Sequence, residues 1–166
     1  MASIGQNKDM LEKDFAQIVS EVSAFADTAS DLAALKHFIV EIIPSRLSYY
    51  NWTGFYMLDP ADPEMLVLGP FRGAPTEHVR IPVNEGICGA AVAQNETVIV
   101  DDVNSDPRYL ACSLETKSEI VVPIRAHGAV VGEIDIDSHD LAAFSSADRE
   151  FLEECAAVVG RFMERS

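Results

Sequence analysis

The sequence predicts an α+β fold, with a central antiparallel sheet and helices packed on its faces. Three observations carry this. Apolar residues recur at three- and four-residue spacing near both ends of the chain, which is the helical period. Between them, from about Tyr49 onward, the texture changes to short aromatic and β-branched runs with period-two alternation. Two pairs of these runs are joined by tight turn sequences, so neighbouring strands are antiparallel.

Taken in order, Met10, Leu11, Phe15, Ile18, Val19, Val22 and Phe25 form the first helical stripe, from about Lys8. Asp27 to Ser30 supplies polar cap candidates for a second helix. Its stripe is Leu32, Leu35, Phe38, Ile39, Ile42 and Ile43, and Pro44 marks its end. Tyr50 to Leu58 and Met65 to Gly69 read as a hairpin around the turn Asp59-Pro60-Ala61-Asp62-Pro63. Gly69 to Pro75 reads as a loop, and His78 to Ile81 as a short strand. Cys88 to Gln94 is a run of small residues suited to a short helix against a sheet, and Thr97 to Val100 is a strand. Asp101 to Lys117 has little periodicity, and connections of that length tend to carry function. Ser118 to Arg125 and Ala129 to Asp137 form a second hairpin around Ala126-His127-Gly128. Ser145 to Arg165 is a closing helix with Ser146 as its N-cap candidate and Phe151, Leu152, Cys155, Val158, Val159 and Phe162 on one face.

The 166 residues suit one domain: N-terminal helices over about 8–47, a sheet core over about 49–138, and a C-terminal helix over about 145–165. A net charge of −15 repels phosphate backbones and anionic lipid, and no Lys/Arg run offers an exception, so neither nucleic acid nor a membrane surface is expected as a partner. The first residues lack a basic start and an apolar stretch, and no run reaches membrane-spanning length, so the expected location is the cytoplasm. There thiols stay reduced, and three cysteines do not suit a disulfide framework.

Cys88 and Cys112 stand in loop-like sequence, where a thiol can meet a substrate, whereas Cys155 sits in an apolar helical stripe and reads as a packed core thiol. Strand alternation puts Glu133, Asp135 and Asp137 on one face and Ile134 and Ile136 on the other. Glu119 shares its face with Val121 and Pro123. A solvated outer face explains such acids. So does a pocket floored by carboxylates, which would bind an ammonium group and hold a proton through mutual repulsion and burial. Trp52 and Tyr56, four residues apart, lie on one side of a strand, either as core or as a wall against an apolar or sulfur-bearing group. His37, His78, His127 and His139 are scattered, and no His/Cys spacing matches a zinc site, so no metal is expected. Phosphate loops, nucleophile elbows and dinucleotide fingerprints are missing from the sequence.

Taken together, Trp52-Thr53-Gly54-Phe55-Tyr56, Leu68-Gly69-Pro70-Phe71-Arg72-Gly73, Gly86-Ile87-Cys88-Gly89, Ala111-Cys112, Ser118-Glu119-Ile120-Val121-Val122-Pro123 and Gly132-Glu133-Ile134-Asp135-Ile136-Asp137-Ser138 resemble the free methionine-(R)-sulfoxide reductases, small enzymes built on the GAF fold. The likeness runs in order from about Tyr49 to the end. It implies a GAF-like sheet and a set of roles. Cys112 falls on the catalytic cysteine that attacks the sulfoxide sulfur, and Cys88 on a second cysteine able to form a disulfide with it. Glu119, Asp135 and Asp137 fall on carboxylates that hold the substrate's ammonium and assist at its oxygen, and Trp52 and Tyr56 on aromatics around the methyl group. Two departures stand out. The family usually carries a third cysteine upstream, where this chain has His78, and an apolar residue is commoner where Glu133 stands.

The resemblance implies reduction of free methionine sulfoxide through a cysteine sulfenic acid and an intramolecular disulfide recycled by thioredoxin, with no bound cofactor. A homodimer through the N-terminal helices is compatible with the fold. The alternatives are a GAF sensor that binds a small amino acid without turnover, and a thiol redox sensor oxidised directly by peroxide.

Overall fold

The computed structural model describes residues 4–111 and 113–166. Two helices open the chain, α1 (Ile4–Thr28) and α2 (Leu32–Arg46). The strands β1 (Trp52–Asp59), β2 (Asp62–Arg72) and β3 (Arg80–Pro82) follow. Then come the short helix α3 (Gly86–Gln94) and the strand β4 (Val98–Val100). The hairpin β5 (Ser118–Ala126) and β6 (Ala129–Ser138) leads to α4 (Ser146–Arg165). The six strands form one antiparallel sheet in the order β3-β2-β1-β6-β5-β4, the α+β arrangement that the patterning predicts.

The sheet has two differently filled faces. Helices α1, α2 and α4 cover one with a dry core: Ile120, Val122 and Ile124 of β5 and Ile134 and Ile136 of β6 meet Phe15, Ile18, Ile39, Ile43, Leu152, Cys155 and Val159. Phe15 stacks on Phe151 at 4.5 Å between ring centroids and Phe25 on Phe38 at 4.2 Å, which ties α1 to α4 and to α2. Helix α4 lies so close to β5 that a Cβ on Gly160 would stand 2.1 Å from the Arg125 carbonyl oxygen. Cys155 is fully buried in this cluster, as a packed thiol should be. The other face carries α3 and the loops, and its smaller cluster includes Trp52, Tyr56, Ile87, Cys88 and Val121.

Several boundaries differ from the sequence reading for local reasons. Asp31, one residue beyond the expected capping stretch, caps α2 by accepting from the Ala34 amide at 2.8 Å. Pro44 lies inside α2, which runs on to Arg46. The cap of α4 is Ser145, not Ser146: its backbone is extended, and it exchanges hydrogen bonds with Asp148 in a capping box. Asp148 also accepts from the hydroxyls of Tyr49 and Tyr50, so this buried carboxylate is well supplied with donors. Strand β2 continues through Gly69-Pro70 to Arg72, because a register shift between Gly54 and Tyr56 absorbs the one extra residue opposite Phe55. The turn between β5 and β6 is two residues, His127 and Gly128, both at positive φ (52° and 78°), the geometry that suits the twist of a tight hairpin.

Candidate functional site

The central pair β1 and β6 sets the site. Cross-strand register aligns Trp52 with Asp137 and Asp137 with Glu119. One step along, Gly54 faces Asp135 and Asp135 faces Val121, and beyond that Tyr56 faces Glu133 and Glu133 faces Pro123. Four acids therefore form a patch on the α3 side. They are not a solvated face: Glu119 is 5% exposed, Asp135 and Asp137 3%, and Glu133 0%. The pocket reading of the alternation holds and the outer-face reading fails. Both Glu133 oxygens and one oxygen each of Asp135 and Asp137 have no hydrogen-bond partner. Burial pushes the Glu133, Asp135 and Asp137 carboxyls up, with the Asp135 charge adding to the effect on the other two. The Cys88 thiol, a donor beside it, opposes the rise at Glu133, and hydrogen bonds from Glu119 and Cys88 oppose it at Asp135.

Helix α3 brings Cys88 over this patch. Gly86 opens the helix at φ +68, and a Cβ there would come within 2.9 Å of Leu110. Cys88 lies in the first turn and is buried; its thiol donates to Asp135 Oδ2 at 3.4 Å. A helix N-terminus ordinarily lowers a thiol pKa. Here burial, followed by the charges of Asp135, Glu133 and Glu119, drives it well up, so Cys88 rests as a thiol.

Two small cavities flank the patch. The first, about 20 Å³, is lined by Tyr56, His78, Ile87, Cys88, Glu119 and Asp135, among others. The second, also about 20 Å³, lies against Trp52, Ala74, Ser113, Thr116, Asp137 and His139. Trp52 and Tyr56 stack at 6.3 Å between ring centroids, and Trp52 also stacks on Phe71 at 5.4 Å. Gly54 makes this possible, since a Cβ there would fall 2.4 Å from the Trp52 ring. The indole N–H donates to the Ala74 carbonyl at 3.0 Å and the Tyr56 hydroxyl to the His78 carbonyl at 2.7 Å. Both aromatics are thus core and cavity wall at once. The expected nucleophile Cys112 lies outside the described residues. On its N-terminal side Leu110 lines the first cavity, and the His78 ring Nε2 sits 3.1 Å from the Ala111 carbonyl.

The chain matches the GAF domain family over residues 11–162. It belongs to that family. Within it, this GAF chain is 35% identical over 147 residues to the free methionine-R-sulfoxide reductase of Escherichia coli (strain K12), covering 89% of this chain and 82% of that one. Its fold superposes on the free methionine-R-sulfoxide reductase of Neisseria meningitidis in complex with its substrate, with TM-score 0.85, 33% identity, and 90% and 88% of the two chains covered. The type II enzyme of Thermoplasma acidophilum gives TM-score 0.75 at 37% identity over 87% of this chain and 96% of that one. These likenesses put the chain with the free methionine-R-sulfoxide reductases among GAF domains.

Of the residues expected in the GAF site, the structure brings Cys88, Glu119, Asp135 and Tyr56 around one cavity and Trp52 and Asp137 around the next. Sequence reasoning missed Leu110, Ile87 and Gly86 as cavity walls, and left Glu133 without a role. The alternation that exposed Asp135 and Asp137 contains Glu133 as well; its register opposite Tyr56 is the signal that only the sheet supplies.

Proposed function

We propose that this GAF chain reduces free methionine-(R)-sulfoxide to methionine, with Cys112 as nucleophile and Cys88 as resolving thiol. The observation that supports it most is the buried carboxylate patch under Cys88, whose unpartnered oxygens suit a cationic ligand group. The ammonium of a free amino acid supplies that charge, whereas a methionine inside a peptide does not. Trp52 and Tyr56 offer the apolar wall for the methylthio end.

The chemistry follows from the groups present. A carboxyl held protonated by burial donates to the sulfoxide oxygen, making the sulfur electrophilic. The Cys112 thiolate attacks that sulfur, the oxygen with its new proton shifts to the cysteine sulfur as its bond to the substrate sulfur and the transient S–S bond break, and methionine leaves, with Cys112 as a sulfenic acid. Cys88, at rest a thiol, attacks the sulfenic sulfur; the S–S bond forms as the S–O bond breaks, and the hydroxyl leaves as water with the Cys88 proton. A dithiol reductant of the thioredoxin class then restores both thiols.

A coupled assay of NADPH consumption with thioredoxin and free methionine-(R)-sulfoxide tests this. Wild-type protein should turn over the free amino acid and ignore the peptide-bound form; no turnover with a competent reductant sinks the reading. Cys112→Ser should lose even a single turnover, and Cys88→Ser should keep the first turnover and lose recycling. Binding without turnover is the competing reading, favoured by His78 at the position of the family's upstream cysteine. Calorimetry showing sulfoxide binding with no methionine formed would select it.

A further inference from the structure

We propose that Cys88, Glu119 and Asp135 form a site for one thiophilic divalent cation of the zinc class. One ligand atom from each of the three lies within 4.8 Å of the other two. A tetrahedral ion with sulfur at about 2.3 Å and oxygen at about 2.0–2.2 Å holds its ligand atoms roughly 3.3–3.6 Å apart. Cys88 Sγ and Asp135 Oδ2 already stand 3.4 Å apart, within that range.

Three further features of the site favour an ion. The cavity bordered by all three residues has a volume of about 20 Å³. That holds about one water-sized body, so an ion fits without displacing a wall. Asp135 Oδ1 is buried with no hydrogen-bond partner, so a carboxylate of the site keeps lone pairs that no protein donor satisfies. Finally, a thiolate and two carboxylates carry three negative charges, which a divalent ion offsets to −1, where a proton or an ammonium offsets less. The sulfur selects for zinc-class ions against magnesium or calcium, which take oxygen ligands.

Binding displaces the Cys88 proton, because only the thiolate ligates, so metal uptake releases acid and weakens as pH falls. The sequence hides the site because its ligands come from three separate elements, α3, β5 and β6, with no short ligand spacing between them. If the reductase reading holds, the same ion occupies the carboxylates that receive the substrate's ammonium and ties up the resolving sulfur, so zinc inhibits both substrate binding and recycling.

The test is titration of the fully reduced chain with Co²⁺ in the absence of substrate. A thiolate-to-cobalt charge-transfer band should grow to saturation at one ion per chain, vanish on adding Zn²⁺, and persist in excess Mg²⁺. It should be lost in Cys88→Ser and kept in Cys112→Ser and Cys155→Ser. No band in the wild type, a band surviving in Cys88→Ser, or a band lost in Cys112→Ser overturns the assignment. Should Cys88→Ser fail to fold, Asp135→Asn and Glu119→Gln retain the thiol and carry the test. Each should weaken Zn²⁺ binding roughly tenfold or more, since even outer-shell partners of a metal matter by 10- to 100-fold; unchanged affinity in both overturns it. The optical signal needs no turnover, so it stands or falls separately from the reductase reading.

Discussion

Ile134 and Asp135 are adjacent in β6, and the two faces they point to are built on opposite terms. On the helix side Ile120, Val122, Ile124, Ile134 and Ile136 pack among apolar side chains from α1, α2 and α4. On the α3 side the same two strands bury Glu119, Glu133, Asp135 and Asp137. The two buried cysteines divide in the same way. Cys155 is raised by burial first and by the Glu154 charge next, whereas Cys88 feels three carboxylates besides its burial. Buried acid is not in itself costly to this fold. Asp148, 1% exposed, accepts from Tyr49, Tyr50 and Ser145, while Glu133, 0% exposed, has, among the described residues, only the Cys88 thiol beside it as a donor. One face is arranged for stability, and the other holds unmet hydrogen-bonding capacity in reserve for a ligand.

Asp135→Asn should lower kcat/KM by two to three orders of magnitude, about 3–4 kcal/mol, the scale of losing one partner from a buried charge pair. Its thermal midpoint should stay level or rise; a large stability loss would show that Asp135 supports the fold. Ile134→Ala, one residue away, should do the reverse. It should cost roughly 2–5 kcal/mol in chemical denaturation and leave kcat/KM of the folded fraction within about twofold. A smaller effect sharpens the border between the faces. Gly54→Ala puts a methyl into the Trp52 ring and should cost about 1–3 kcal/mol while raising KM more than it lowers kcat.

The smallest effect is also the most telling. Burial and the Asp135 charge raise the Glu133 carboxyl above its unfolded value, so the native state binds its proton more tightly than the unfolded chain does. That contribution is full below the unfolded carboxylate pKa of about 4.3 and is lost as pH climbs through the raised native value. Glu133→Leu should therefore stabilise the protein by about 1 kcal/mol or more at pH 8, with the gain shrinking on acidification toward pH 4. Denaturation midpoints across that window check it; a gain that grows on acidification would mean Glu133 is charged and paired at rest.

Much of this was legible in the chain. Period-two alternation in Glu133 to Asp137 gave both faces of β6, and the helical stripes gave the elements of the dry core. The caps at Asp31 and Ser145 were missed by one residue because the neighbouring serines and aspartates are chemically equivalent candidates, and only extended backbone at one of them decides. The bulge at Gly69-Pro70 looks like a loop in the sequence because proline donates no ladder hydrogen bond, and only the partner strand shows that none is needed there. The convergence of Cys88 with Glu119 and Asp135 is a matter of tertiary packing between residues up to 47 positions apart, which no local pattern encodes.

Trp52 is the single tryptophan of the chain, and it lies stacked between Tyr56 and Phe71 opposite Asp137. Excited at the red edge of its absorption, where the four tyrosines absorb little, it emits from one known place. Any event at the acid patch changes the electric field on that indole, whether an ammonium arriving, a proton leaving or an ion seating. The protein is in this sense its own dye, and stopped-flow fluorescence on the unlabelled chain can time ligand arrival apart from the sulfur chemistry that follows.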